Sequence, residues 1–469
     1  MILIKKNKAK ALYWQIICLY PGAVVLQNRI KVPIFAKLEA VPDSGSYWGM
    51  KNIKREMFIV KSTETIFPIE QVRAQFPALG RVYKEKQAAY FDGPGGSQVV
   101  LQSITAISNY MQRGGANLHG NFPSSWETET VISEAREAVA DFLNVQANEV
   151  AFGANMTTLT IAIANALGKQ FKAGDEIVVT EMDHRANVDP WLMMAEDRGL
   201  TVRWIPVDKE KLTLDMKDID TLINEKTKLV ALGMASNAIG TIVDLAPAVK
   251  RAREVGALVA ADAVHAAPHM PIDRDQQDID ILLCSVYKFF GPHIGIAAIR
   301  ENIFKDLVPY KLTTSPSYYP DKLETGTQNH EGIAGIRPAI EFFASFGEGE
   351  TRREKIISGY QEIEKYENTL AAGLREGLSE IAKVTLWQAA DDVAKTPTIA
   401  FQVAGYEPSA VCVILAEEHS IFTAAGHFYA STLGDVLDVN KTGGWVRAGL
   451  APYNTEEEVE RFINAIATL

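Results

Sequence analysis

The sequence predicts an α/β fold: a mostly parallel central sheet in a large domain, with a smaller α+β C-terminal domain. Three observations predict it. From Glu149 onward, short β-branched runs alternate with helical stretches. The runs lack polar alternation, which suits strands covered on both faces. Near Glu350 the pattern gives way to one long charged amphipathic segment and shorter elements. Helical crossovers between buried strands imply parallel pairing.

The elements follow in order. Val150-Ala-Phe-Gly153 reads as a strand, and 157–167 as a buried helix closed by Gly168. Glu176 to Thr180 is a strand, and Pro190 to Arg198 a helix ending at Gly199. The strand 201–207 precedes a helix over Met216 to Ile223. The strand 227–233 precedes a helix from Leu245 to Val255, closed by Gly256. Two further apolar runs end at Asp262 and at Lys288. Thr351 to Ser379 reads as a helix whose charges form a solvated face, and Thr398 to Val403 as a strand. The expected divisions are an extension over 1–68, an arm over 69–115 joining the small domain, a large domain over 116–345 and a small one over 346–469.

Composition narrows the function classes. The chain has 469 residues, 47% hydrophobic and 22% charged, with a net charge of −11. That length supports more than one core. The negative charge disfavours nucleic acid or an anionic membrane as partner. Three cysteines, Cys18, Cys284 and Cys412, show no CxxC spacing, so neither a disulfide framework nor a zinc site is expected, and a reducing cytoplasm is the simple location. No metal site is expected. The segment 1–40 has lysines followed by a broken apolar run, loosely like a secretory signal, yet too short to span a bilayer. Residues before Met50 or Met57 read as an upstream extension.

Lys288 carries the chemistry. An apolar run delivers its amine to the turn Phe289-Phe-Gly-Pro-His293, with Ser285 three residues earlier. Asp262 ends the preceding apolar run. In parallel sheets, ligands gather at the carboxyl ends of strands. A lysine and an aspartate there fit pyridoxal 5'-phosphate: the amine forms a Schiff base, and the carboxylate pairs with the pyridinium nitrogen. The turn Gly153-Ala-Asn-Met-Thr157 places N–H groups and a hydroxyl at a helix N-terminus, a ready phosphate site. The turn Gly93-Pro-Gly-Gly96 lacks the lysine and preceding strand of a nucleotide loop and suits close backbone approach to a substrate.

Several motifs occur together in order: Tyr90-Phe-Asp-Gly-Pro-Gly-Gly-Ser97, Ala116-Asn-Leu-His119, Glu181-Met-Asp-His-Arg-Ala-Asn187, Ser236-Asn-Ala-Ile-Gly240, Asp262 to His265, Ser285 to Lys288, Glu324-Thr-Gly-Thr-Gln-Asn329 and Arg447-Ala-Gly-Leu450. From Tyr90 to the C-terminus the chain thereby resembles class V aminotransferases within the fold-type I pyridoxal-phosphate enzymes. The likeness is greatest to group II cysteine desulfurases and selenocysteine lyases. The resemblance implies that Lys288 holds the cofactor, His184 stacks on its ring, and Asp262 keeps the ring nitrogen protonated. It places Asn237 and His265 near the phenolate oxygen, His265 standing where the family often has glutamine. Met156 (through its backbone), Thr157, Ser285 and Tyr287 bind the phosphate, Tyr287 replacing a common histidine. Thr327 reaches the phosphate of a neighbouring subunit, so a homodimer is implied. Arg447 grips the substrate α-carboxylate, with Asn237 and His119 beside the substrate.

The implied activity is that of a cysteine desulfurase-like enzyme acting on a small amino acid through an external aldimine and Cα deprotonation. One residue departs from the pattern. The family's Gly-His-His-Cys-Ala-like loop is here Gly426-His-Phe-Tyr-Ala430, with Tyr429 at the position of the thiol. A phenol cannot carry a persulfide, which leaves an aminotransferase, an epimerase or a β-eliminating lyase as alternatives. Tyr429, His427, His119 and His330 are candidates for the group that decides between them.

Overall fold

A seven-stranded sheet organises the computed structural model of the chain, which describes residues 67–469 together with the short strands Gln15–Cys18, Val24–Gln27 and Ile34–Phe35. Those three strands pair antiparallel in a small sheet of their own. The expectation for the extension otherwise lies almost entirely outside the described residues.

We label the strands of the large sheet β1 (Val150–Gly153), β2 (Glu176–Thr180), β3 (Thr201–Ile205), β4 (Thr227–Gly233), β5 (Leu258–Asp262), β6 (Ile281–Ser285) and β7 (Gly295–Ile299). Their spatial order is β1-β7-β6-β5-β4-β2-β3. β7 runs antiparallel to both of its neighbours, and every other pair is parallel. Along β4, Val230 and Leu232 enter one buried cluster, while Leu229 and Ala231 enter another. Alternate side chains leave opposite faces of a strand. Both faces are therefore dry, as the unbroken apolar runs imply.

Two local features depart from the sequence reading. The helix expected over Met216–Ile223 shrinks to Ile219–Leu222. Asp215 Oδ1 accepts the Lys217 N–H at 3.1 Å, giving the backbone a turn in place of a helical bond. The run ending at Lys288 stops being a strand at Ser285, and Val286–Lys288 form a 3₁₀ turn. The chain then reverses tightly, with the Val286 N–H donating to the Ile294 carbonyl at 2.9 Å. A reversal this short leads only to an antiparallel neighbour, which makes β7.

The principal helices are α1 (Leu101–Arg113), α2 (Pro123–Leu143), α3 (Met156–Leu167), α4 (Ile336–Ala344) and α5 (Arg352–Ser379). A second sheet comprises β8 (Val384–Trp387), β9 (Thr398–Val403), β10 (Ala424–Gly426) and β11 (Trp445–Gly449), ordered β8-β9-β11-β10 and antiparallel throughout. Leu370, Leu374 and Leu378 of α5 share a buried cluster with Ile399 and Phe401 of β9. Thr351 caps α5, and Glu354 reaches back to the Thr351 N–H at 2.9 Å, a reciprocal capping box. Residues Ala89 and Phe91 join this same cluster, and the strand Ala89–Tyr90 pairs with Ile421–Phe422.

Gly295 sets the height of the α3 N-terminus over the sheet. A Cβ there would overlap the Asn155 carbonyl and lie 2.7 Å from its Cα. Backbone cannot yield as a flexible side chain would. Gly295→Ala is expected to destabilise the fold by about 1–3 kcal/mol, read as a lower urea midpoint with an unchanged slope.

Candidate active site

The carboxyl ends of β1, β2, β4, β5 and β6 open onto a cavity of about 340 Å³, and β11 closes its far side with Arg447. Lys288 follows β6 through the 3₁₀ turn and donates a short hydrogen bond to the Pro94 carbonyl. The Gly-rich turn therefore lies directly against the amine. Ser97 ties the two segments together, its Oγ donating to the Tyr287 carbonyl at 3.0 Å and accepting the Phe290 N–H at 2.9 Å. Burial lowers the Lys288 pKa to about 7, and the nearby Arg447 guanidinium adds to the fall, with Asp92 and Asp262 opposing it.

Asp262 is the last residue of β5, one strand away from Ser285 and Lys288. Burial raises its pKa to about 6, while the Val264 N–H, donating at 2.8 Å, and the Lys288 charge favour the ionised form. Asp183 lies beyond β2, and burial raises it to about 7 against hydrogen bonds from Thr180 Oγ1 at 2.7 Å and Asn187 Nδ2 at 2.8 Å. His184 follows. Its Nδ1 accepts the Ala186 N–H at 2.9 Å, which leaves the ring proton on Nε2. Burial, then Lys288 and Arg447, lower its pKa to about 4, so the imidazole is neutral near pH 7.

One end of the cavity suits an anion. Asn155 caps α3, accepting the Thr158 N–H at 2.9 Å. Met156 donates its N–H to Ser285 Oγ at 3.0 Å, so the Ser285 hydroxyl hydrogen remains for an acceptor. The Thr157 N–H and hydroxyl belong to the same first turn, whose unpaired donors and dipole favour negative charge. Tyr287 stacks on His293 with ring centroids 4.7 Å apart, and the Lys288 amine lies 4.9 Å above its ring.

At the other end Arg447 is only 3% exposed. Its Nη1 donates to the Asn237 carbonyl at 2.9 Å, and its guanidinium stacks 3.8 Å from the Phe428 ring centre. Asn237 Nδ2 in turn donates to the Phe428 carbonyl at 2.8 Å. Phe428 and Tyr429 both adopt left-handed backbone, φ 53° and 60°. Consecutive non-glycine residues there are strained. Tyr429 is held by the Arg185 N–H, which donates to its carbonyl at 2.8 Å, and its ring lies 5.4 Å from His184.

The predicted residues mostly converge. Lys288, Asp262, His184, Met156, Thr157, Asn237, His265, Ser285, Tyr287 and Arg447 all line the one cavity. His265 points its Nε2 at Thr396 Oγ1 (3.1 Å) and Thr398 Oγ1 (3.2 Å), and burial lowers its pKa well below the usual imidazole value. His119 and Thr327 are not brought there. His119 is exposed beside Glu129, and Thr327 is exposed on the loop after Glu324. That loop is anchored by Glu324, which takes a bidentate pair from Arg136 at 2.9 and 2.8 Å and accepts the Phe152 N–H of β1. Of the four candidates for deciding the reaction, Tyr429 lines the cavity, whereas His427, His330 and His119 do not. Sequence reasoning missed Asp92, Asp183, Asn155 and Phe428 as lining residues. Asp92 and Asp183 stood inside quoted motifs, beside residues with assigned roles.

Comparisons with known proteins bear on this geometry. The aminotransferase class-V family model matches residues 89–462. The chain belongs to the class V aminotransferase family. Among its relatives, a cysteine desulfurase of Enterobacter sp. strain 638 is 32% identical, covering 85% of this chain and 98% of its own. An aminotransferase-like protein of Gibberella zeae is 31% identical over 85% of this chain and 98% of its own. The apo structure of a cysteine desulfurase from Thermococcus onnurineus superposes with a TM-score of 0.77 at 29% identity, covering 86% of this chain and 98% of that one.

Members of this family are pyridoxal-phosphate enzymes of fold type I, and this chain is one of them. Its residues fit the group. An anion-ready helix terminus, a buried carboxylate and one buried amine share a single cavity. Among the described residues no helix is long and apolar enough to cross a membrane.

The lowered Lys288 pKa has a consequence for the cofactor-free chain. The fold disfavours the protonated amine, so the penalty is full below pH 7 and fades as pH rises toward the ordinary lysine value of 10.5. Lys288→Met is expected to exceed the cofactor-free wild type in stability at pH 6, by on the order of 2 kcal/mol. The advantage should shrink toward pH 10, as followed by urea unfolding across pH.

Proposed function

We propose that the chain is a pyridoxal-phosphate enzyme of the cytoplasm acting on a small amino acid at its Cα–H bond, desulfurase-like in lineage. The observation that carries this reading is the buried Lys288 amine, held near neutrality between Asp262 and Arg447. In it, Lys288 anchors the cofactor, Asp262 pairs with its ring nitrogen, and His184 covers its ring. Met156, Thr157, Ser285 and Tyr287 take the phosphate, while Asn237 and His265 lie near the phenolate oxygen. Bound there, pyridoxal phosphate supplies a carbonyl for the substrate amine and an electron sink.

The chain's own groups do the rest. Arg447 binds the substrate carboxylate through its planar fork. The Lys288 Nζ, with a pKa near 7, takes and returns the proton at the substrate Cα. His184 stays neutral and adds no charge to the ring face it covers. Asp183, behind His184, is largely protonated at low pH and hydrogen-bonds the turn that sets the ring's position.

A reaction other than persulfide formation is favoured by Tyr429, which borders the cavity in the place of the thiol. Cys284 is fully buried in β6, and burial raises its pKa far above the ordinary thiol value. Cys412 is raised as well, and accepts a hydrogen bond from Thr423 Oγ1 at 3.3 Å. Neither thiol is a ready nucleophile. The alternatives are transamination, epimerisation or β-elimination. With the cofactor-loaded protein and a panel of amino acids, chiral chromatography with mass detection is expected to find a keto acid, an epimer or an elimination product. Stoichiometric persulfide on the protein with cysteine as substrate would contradict this assignment. Lys288→Ala is expected to lose the visible absorbance of the loaded protein.

A homodimer completes the reading, with residues 116–345 as the cofactor domain and 346–469 as the small one. Helices α1, α2 and α4 leave a groove of about 920 Å³. Trp126 lines this groove and is 54% exposed, while Met111 of α1 and Phe122, just before α2, are 64% and 49% exposed. Large exposed apolar side chains beside an apolar groove mark an interaction surface. His119 lies on the loop leading into α2. A second copy would cover the face and bring His119 and Thr327 toward the partner's cavity. Light scattering is expected to give twice the chain mass, and Trp126→Glu to shift it toward the monomer.

A further inference from the structure

Arg447 already holds a carboxylate. Its Nη2 lies 3.2 Å from Asp92 Oδ1, and both residues line the same cavity. The arrangement is built rather than incidental. Asp92 bridges to Gly449 in the strand that carries Arg447. The Gly95 and Gly96 N–H groups donate to the Asp92 carbonyl at 2.9 and 3.1 Å, folding the turn back over it. A Cβ at Gly95 would come within 2.5 Å of Asp92 Oδ2, and one at Gly449 would overlap the Pro94 ring. Gly95 thus leaves room for the carboxylate, and Gly449 lets the turn carrying Asp92 close onto the strand of Arg447.

The pair is unequal. Arg447 is buried, whereas the Asp92 side chain is 41% exposed. A partly exposed carboxylate can rotate into water at small cost. Arg447 cannot follow, because its backbone lies in β11 while the Asn237 carbonyl and the Phe428 face hold its guanidinium. Its buried Nε has no partner. The guanidinium is therefore positioned without Asp92 and is underused with it.

We propose that Asp92 is a specificity-determining residue whose carboxylate stands in for the substrate α-carboxylate on Arg447, so that substrate enters by exchange. The proposal rests on the reading of Arg447 as the carboxylate site. Exchange keeps the buried guanidinium neutralised when no substrate is bound, and it weakens carboxylate binding. The displaced Asp92 still borders the cavity and repels a second negative charge. The substrate class that fits is an amino acid with one carboxylate and an uncharged side chain.

Calorimetry on the cofactor-loaded full chain tests this with propionate, which has a carboxylate and no amine to react, and with succinate, which adds a second carboxylate. Asp92→Asn is expected to bind propionate about five- to tenfold tighter than wild type, with a larger gain for succinate. Equal or weaker propionate binding would overturn the proposal, because it would make Asp92 an orienting partner or a bystander. An equal gain for both ligands would overturn the part concerning side-chain charge. Asp92→Ser, with circular dichroism on each variant, repeats the measurement should Asp92→Asn misfold. Arg447→Lys separates the two readings: if it binds propionate as wild type does, the assignment of Arg447 fails, whatever the Asp92 variants do.

Discussion

The site depends on holding one amine out of water at the end of β6. Burial disfavours its charge, and a second buried cation, Arg447, adds to the effect. Two cations can share a cavity of this size only if carboxylates stand near them. Asp262 and Asp92 supply that compensation from opposite sides, and each is itself shaped by its surroundings. Buried Asp262 is pushed toward neutrality yet held ionised by a backbone N–H and by Lys288. Asp92 remains half in water and neutralises Arg447. The acid–base character of the cavity is a property of the group rather than of any one residue.

Two sheets are needed to assemble that group. The large sheet contributes Asp262, Ser285 and Lys288 from neighbouring strand ends, and the α3 N-terminus rises beside them over Gly295. The second sheet contributes Arg447 from β11, and Ala424 of β10 lines the cavity beside it. Arg447 reaches the cavity because the turn Gly93–Gly96 packs against Gly449 and because Asn237 offers its carbonyl. The strained pair Phe428–Tyr429 then spans the gap, tied by Asn237 Nδ2 to one side and by the Arg185 N–H to the other. Strain retained beside a binding cavity is a common mark of function.

Much of this was legible in the sequence, for definable reasons. Buried parallel strands announce themselves as uninterrupted apolar runs, and their ends locate Asp262 and Lys288 without any knowledge of contacts. Ten residues expected at one site do meet there, because the motif order follows the strand order. What stayed hidden depends on tertiary geometry. The direction of β7 follows from a reversal between Val286 and Ile294 whose tightness no periodicity reveals. Asp92 stands inside the Tyr90–Ser97 motif, and its pairing with Arg447 depends on a bridge to Gly449, far away in sequence. Asp183 lay unnoticed beside His184, since its effect comes from burial and from Asn187 four residues on. Thr327 and His119 are exposed on loops away from the cavity.

Covalent capture of the cofactor by one amine is the central requirement of this site. Borohydride reduction of the loaded protein, followed by peptide mass mapping, tests this most directly. The expected result is a single pyridoxyl-phosphate adduct on the peptide containing Lys288. An adduct distributed over surface lysines, or no adduct after reconstitution, would contradict it.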